Sequence, residues 1–227
     1  MRSLGCALAC ILSIPLAHAD PANSTAPGQQ EPPASTPVET VVCIRHGEKA
    51  KGGLGSLNDQ GLNRALALPD VLARYGKPAF IFAPDPGQDK INEGALLPDG
   101  KKREAVCYVR PLITIAPTAI RLGMPINTSF GFGHIANLEA ELDKAQYQNA
   151  LVFVAWEHCL AELFMKNLVR DHGGDPASVP VWKTTDFDSI YVACITRNPQ
   201  GITSVAFQVD QEGLDRQSLT PPKPAAK

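Results

Sequence analysis

The stretch that most constrains this 227-residue chain is Thr40-Val41-Val42-Cys43-Ile44-Arg45-His46-Gly47-Glu48, a β-branched apolar run that stops at a cation, an imidazole and a glycine. Such a run fits a strand buried on both faces, as at the centre of an α/β sheet. The glycine-rich Lys51-Gly52-Gly53-Leu54-Gly55 follows it. Arg45 and His46 are therefore expected at the carboxyl end of a strand, where functional side chains of such sheets gather. Ala150-Leu151-Val152-Phe153-Val154-Ala155-Trp156 repeats the pattern and runs into Glu157-His158-Cys159. Two buried strands thus each end in a histidine.

The folded part is bounded on both sides. Arg2, a short apolar core over 4–16 and Ala17-His18-Ala19 read as an export signal, residues 1–19, cleaved before Asp20. A periplasmic or secreted location is expected. No later segment approaches the roughly twenty apolar residues of a spanning helix, so no membrane span is expected. Residues 20–37 are rich in Pro, Ala, Ser and Thr and read as a disordered leader, and 217–227 as a disordered tail. One domain over 38–216 remains, long enough to bury a full core. The formal charge of −2 gives no basic footprint for nucleic acid. Export leaves Cys43, Cys107, Cys159 and Cys194 in an oxidising compartment. Their pairing stays open, because Cys43 and Cys194 equally suit small buried hydrophobes.

Between these limits helix and strand signals alternate. Asn58 or Asp59 caps a helix that turns Leu62, Leu66, Val71 and Leu72 inward, kinks at Pro69 and ends by Gly76 and Pro78. A short buried strand lies at 79–83. Residues 84–107, full of Pro, Gly, Asp and Lys, exceed a routine connection and read as a functional or mobile insertion. A second helix covers 111–122, interrupted by Pro117 and stopped by Gly123. A third covers 135–146, with Ile135, Leu138, Leu142 and Ala145 on one face. A fourth covers 160–170, and strands at 190–196 and 202–209 form a closing hairpin. The expected fold is a three-layer α/β/α sandwich with a mostly parallel sheet and an antiparallel C-terminal edge.

Arg45-His46-Gly47-Glu48 at a strand end resembles the signature of the histidine phosphatase superfamily, the phosphoglycerate mutase-like fold, in an exported bacterial-type member. Further stretches agree in order. Leu57-Asn58-Asp59-Gln60-Gly61 resembles the family's helix start. Arg110-Pro111-Leu112-Ile113-Thr114, with Leu122-Gly123-Met124-Pro125 after it, resembles the helix bearing a second phosphate-binding arginine. Residues 151–158 resemble the strand bearing the second histidine. The likeness spans nearly the whole of 38–216.

The resemblance implies a phosphatase that hydrolyses a phosphomonoester or phosphoanhydride of a small molecule through a phosphohistidine at His46, with neither metal nor cofactor. Phosphoryl transfer asks mainly for positioning and for stabilisation of charge on three equatorial oxygens. Arg45 and Arg110 offer planar bidentate donors for them. His46 as nucleophile must be neutral, its second nitrogen donating to a backbone carbonyl. His158 would donate to a phosphate oxygen, preferably as the cation, so the two imidazoles need pKa values pushed apart.

The acid that protonates the leaving group is less legible. Cys159 stands directly after the second histidine, where one branch of the family carries an acid, and 126–137 contains none. Glu157 is the leading candidate, although on a strand its side chain would point away from that of His158. Glu48, Glu93 and Glu139 are alternatives. Without an acid, the chain would be a catalytically silent module that binds a phosphate ligand. His134 reads as a helix-start residue, and His172 as a complement to a helix dipole. Lys101-Lys102-Arg103 reads as a solvated loop within the insertion. His158 and Cys159 lack a further His or Cys at zinc-site spacing. The sequence does not set the oligomeric state.

Overall fold

The computed structural model describes residues 38–94 and 96–222. The expected signal 1–19 and leader 20–37 lie outside them, as do Ala95 and 223–227. The elements in chain order are β1 (Val38–Arg45), α1 (Asp59–Leu72), β2 (Phe80–Phe82), β3 (Lys90–Ile91), β4 (Val106–Cys107), α2 (Arg110–Leu122), α3 (Ile135–Leu142), β5 (Leu151–Trp156), α4 (His158–Asp171), β6 (Ser189–Arg197) and β7 (Thr203–Gln211).

The apolar run at the start of the domain is the middle strand of a five-stranded sheet in the order β2-β5-β1-β6-β7. β1 pairs parallel with β5 and antiparallel with β6; β2 lies parallel beyond β5, and β7 antiparallel beyond β6. Only β6 runs against the others, so the sheet is mostly parallel with an antiparallel C-terminal edge.

Alternation along β1 divides the core in two. Val41 and Cys43 join Val152, Val154 and Trp156 against Leu138, Phe164 and Leu168 of α3 and α4. Val42 and Ile44 join Phe153 and Ala155 against Leu68, Leu72, Ile115 and Ala119 of α1 and α2. Each such aliphatic side chain contributes about 1.5–3 kcal/mol on burial. Two helices cover each face, which gives the three layers.

Several local expectations are corrected. Asn58 does cap α1, its side chain accepting from the Gly61 N–H at 2.8 Å. The buried face, however, is Gly61, Arg64, Ala65, Leu68 and Leu72, while Leu66 is exposed. Arg64 is drawn inward by four carboxylates, those of Glu48, Asp188, Glu212 and Asp215, at 2.6 to 3.3 Å. Pro69 and Pro117 sit inside uninterrupted helices. A proline there costs about 3 kcal/mol, and burial of the α1 and α2 faces offsets it.

Gly123 stops α2 in the left-handed conformation at φ 63°. α3 ends at Leu142, and the inward place expected for Ala145 goes to Tyr147 on a following 3₁₀ turn. The four cysteines Cys43, Cys107, Cys159 and Cys194 are all free, and Cys43 is a buried hydrophobe of β1. The expected tail is anchored as far as Thr220, because Asn63 Nδ2 donates to the Ser218 and Thr220 carbonyls at 2.9 and 2.8 Å.

Candidate active site

β1 and β5 stop level with each other, Arg45 opposite Trp156, and the His46 N–H donates to the Trp156 carbonyl at 3.1 Å. The polar clusters after the two strands therefore emerge side by side. His46 and Gly47 are held from two further directions. A Cβ on Gly61 would stand 2.5 Å from the Glu48 carbonyl oxygen and 2.7 Å from its nitrogen, so glycine there lets α1 begin against the turn. From α2, Thr114 Oγ1 accepts from the Gly47 N–H and donates to the Arg110 carbonyl, both at 2.9 Å. That hydroxyl ties the start of the arginine-bearing helix to the histidine turn.

His46 is 2% exposed. Its Nδ1 lies 2.7 Å from the Gly47 carbonyl oxygen; a carbonyl only accepts, so Nδ1 carries the proton and Nε2 keeps its lone pair. Burial, reinforced by Arg110 and Arg45 and opposed by the Gly47 bond and Glu157, pushes its pKa down to about 3. The ring stands edge-on to Tyr108 and Phe187, with centroids 5.9 and 6.1 Å away. This is a neutral imidazole with one free nitrogen.

Arg45 is 1% exposed and is fixed at one end of its guanidinium: Nη1 donates to the carbonyls of Lys183, Thr184 and Asp186 at 3.3, 2.9 and 2.7 Å. Its Cζ stacks 3.8 Å over the Phe187 ring. Arg110, the first residue of α2 and 4% exposed, stacks 4.6 Å over Tyr108, and its Nη2 meets Glu93 at 3.0 Å. Among the described residues, Arg45 Nε, Arg110 Nε and Nη1 and the Tyr108 hydroxyl have no hydrogen-bond partner. Four buried donors left unsatisfied beside one imidazole would be costly in a site meant to stay empty. They suit an anion rich in acceptor oxygens.

The strand β5 ends at Trp156, not beyond, and this removes the objection to Glu157. Glu157 is the N-cap of α4, accepting from the Leu160 N–H at 3.0 Å, and His158 is the first helical residue. Their side chains meet, Glu157 Oε1 against His158 Nδ1, instead of pointing apart. Burial raises the Glu157 pKa, but the His158 bond and the Leu160 N–H outweigh it and hold the carboxyl below its usual range. His158 Nε2 lies 3.4 Å from Cys159 Sγ. Glu157, His158 and Cys159 bring a carboxylate, an imidazole and a thiol within 4.8 Å of one another, a donor set able to hold a metal ion. The helices α2 and α4 both start here, adding the positive ends of their dipoles.

His46, Arg45, Arg110, Glu157 and His158 are thus brought together. Glu93 joins them from the insertion. Glu48 is spent on Arg64, and Glu139 accepts from Asn167 on α4. His134 stands at the α3 N-cap without a side-chain cap bond. His172 closes α4 but is buried, and burial then Arg197 lower its pKa, which disfavours the cation expected to complement the dipole. Lys101 and Lys102 are solvated. Tyr108 and Phe187 were not singled out in the sequence; an aromatic two residues before Arg110 was the available sign.

No family model matches the chain, and no curated protein does. Among solved structures it is similar to a protein of Nakamurella multipartitia assigned to the SixA phosphohistidine phosphatases, at 15% identity and TM-score 0.47 over 76% of this chain and 95% of that one. A mycobacterial glucosyl-3-phosphoglycerate phosphatase is similar at 15% identity and TM-score 0.47 over 75% and 95%. The phosphoglycerate mutase of Plasmodium falciparum is similar at 10% identity and TM-score 0.46 over 84% and 97%.

Proposed function

We propose that this chain is an exported phosphatase that hydrolyses a phosphorylated small molecule through a phosphohistidine at His46. The observation that supports it best is the pairing of a neutral His46, Nε2 free, with the unsatisfied buried donors of Arg45 and Arg110. In the first step the Nε2 lone pair forms a bond to phosphorus while the bond to the leaving oxygen breaks, its electron pair departing with that oxygen. The arginines and the N-termini of α2 and α4 take up charge on the phosphoryl oxygens. His158, oriented by the Glu157 carboxylate at Nδ1, presents Nε2 to the phosphate, and the pair passes a proton to the leaving oxygen. Water then attacks phosphorus and returns a proton to the pair while the Nε2–P bond breaks, its electron pair going back to Nε2, which releases inorganic phosphate and free His46. Export rests on the residues of 1–19.

A second reading is a silent phosphate-binding module, favoured by one observation: Glu157 is already committed to the Leu160 N–H and to His158. Hydrolysis of an aryl phosphate by the purified protein and by His46→Ala separates the two. Turnover with an acid-labile, base-stable phosphoenzyme, both lost in the variant, supports the phosphatase. Vanadate binding without turnover in the wild type supports the module.

A further inference from the structure

We infer that Tyr108 is a catalytic residue, its hydroxyl donating a hydrogen bond to an equatorial oxygen of the phosphoryl group in transfer. The inference rests on the phosphatase reading and adds a residue to it.

Tyr108 is 1% exposed, and its hydroxyl has no partner among the described residues. A buried phenol normally finds an acceptor. Here the charged groups facing it are Arg110, Glu157 and Arg45, two of them cations of which Arg110 Nε and Nη1 and Arg45 Nε are likewise unsatisfied. Neither guanidinium can accept a hydrogen bond. Glu157, the acceptor among these groups, is engaged by the Leu160 N–H and by His158, so the hydroxyl proton is left without an acceptor from the protein. The ring is fixed for this purpose: edge-on to His46 at 5.9 Å, against Phe132 at 4.8 Å, and beneath the Arg110 guanidinium at 4.6 Å.

With the Tyr108 ring packed against that of His46, an acceptor suited to this hydroxyl and to the unsatisfied arginine nitrogens is an oxygen of a phosphoryl group brought to His46. Burial raises the phenol pKa well above its usual value, so the group stays protonated and donates without ionising. That suits a hydrogen bond to an equatorial oxygen and does not suit proton delivery to the leaving group. No bond of Tyr108 is made or broken in the reaction.

The test is Tyr108→Phe, which keeps the ring contacts and removes one oxygen. Turnover of an aryl and an alkyl phosphate, orthovanadate affinity and thermal stability are measured beside the wild type. Loss of one hydrogen bond to a charged group predicts a drop in kcat of about 10- to 100-fold, equal for the two substrates, and a similar weakening for orthovanadate. The unliganded variant should melt no lower than the wild type, because the deleted group had no partner. Unchanged kcat and vanadate affinity would overturn the assignment, as would a loss confined to the alkyl phosphate. A wild type that neither turns over substrate nor binds orthovanadate overturns the phosphatase reading and this one together. Full vanadate binding in both proteins overturns Tyr108 alone.

Discussion

His46 donates its Nδ1 proton to the carbonyl of Gly47, its immediate neighbour, at 2.7 Å. The bond fixes the tautomer, and burial beside Arg110 and Arg45 keeps the ring neutral down to about pH 3. An unperturbed histidine would be protonated, and lost as a nucleophile, below about pH 6.5. The kcat/KM profile, corrected for ionisation of the substrate, should therefore show no loss assignable to His46 between pH 6.5 and 4. A fall centred near pH 6 that shifts with substitutions at Arg45 or Arg110 would contradict this.

Stability should be flat over the same region, for a reason that involves a second buried group. Glu212 is buried against Arg64 with one oxygen unsatisfied, and burial, only partly countered by Arg64, pushes its pKa up to about 8 from 4.5. With four carboxylates around one cation, the most buried one keeps a proton. A raised folded pKa gives stability that is full below 4.5 and is lost as pH rises toward 8. The lowered pKa of His46 works the other way: stability is full above 6.5 and is lost as pH falls toward 3. Between 4.5 and 6.5 the two slopes oppose, each unit being worth about 1.4 kcal/mol. Melting temperature against pH should show a plateau there. Glu212→Gln should remove the decline on the alkaline side, and His46→Asn should soften the one on the acid side.

Arg64 itself should tolerate no apolar replacement alone. Arg64→Met leaves the buried Glu48 and Asp188 carboxylates without their cation and Glu212 without its hydrogen-bond donor, a loss of about 3–5 kcal/mol. Chemical denaturation measures it. A cost under about 1 kcal/mol would mean that the carboxylates are simply protonated in its absence.

What the sequence made legible follows from how local each signal is. The runs at 40–45 and 151–156 are apolar on both faces, so the two central strands and the histidines after them could be read directly. The neutral state of His46 was also legible, as a requirement of the chemistry. Arg64 was not, because the partners that bury it come from residues 48, 188, 212 and 215, and a helical period alone favoured Leu66. Glu157 was placed on a strand because glutamate is not a preferred N-cap; the Leu160 N–H that it accepts makes it one. The prolines at 69 and 117 misled for a related reason, since local propensity does not record the tertiary burial that carries a helix through them.

The source of the leaving-group proton can be read from two substitutions. Glu157 touches His158, whereas Glu93 touches Arg110 and, at 3.8 Å, Lys49. Glu157→Gln should slow an alkyl phosphate by about 100-fold while slowing an aryl phosphate far less, because a good leaving group needs little protonation. Glu93→Gln should act through phosphate binding, changing KM for both substrates alike. If Glu93→Gln produced the leaving-group dependence instead, the acid would be the insertion's glutamate.

Gly61→Ala sets two effects against each other. Gly61 lies in the first turn of α1, where alanine is favoured over glycine by up to about 1 kcal/mol. The added methyl would stand 2.5 and 2.7 Å from the Glu48 backbone, and neither that strand end nor the helix is free to move: Glu48 is bound to Arg64, and Gly47 to Thr114. Overpacking of this kind costs about 1–3 kcal/mol, so the variant should be less stable. The displaced backbone also carries Gly47, whose carbonyl sets the His46 tautomer, so kcat should fall with stability. Melting temperature and turnover measured together decide it: a stabilised, fully active Gly61→Ala would show that the turn after His46 is not fixed by α1.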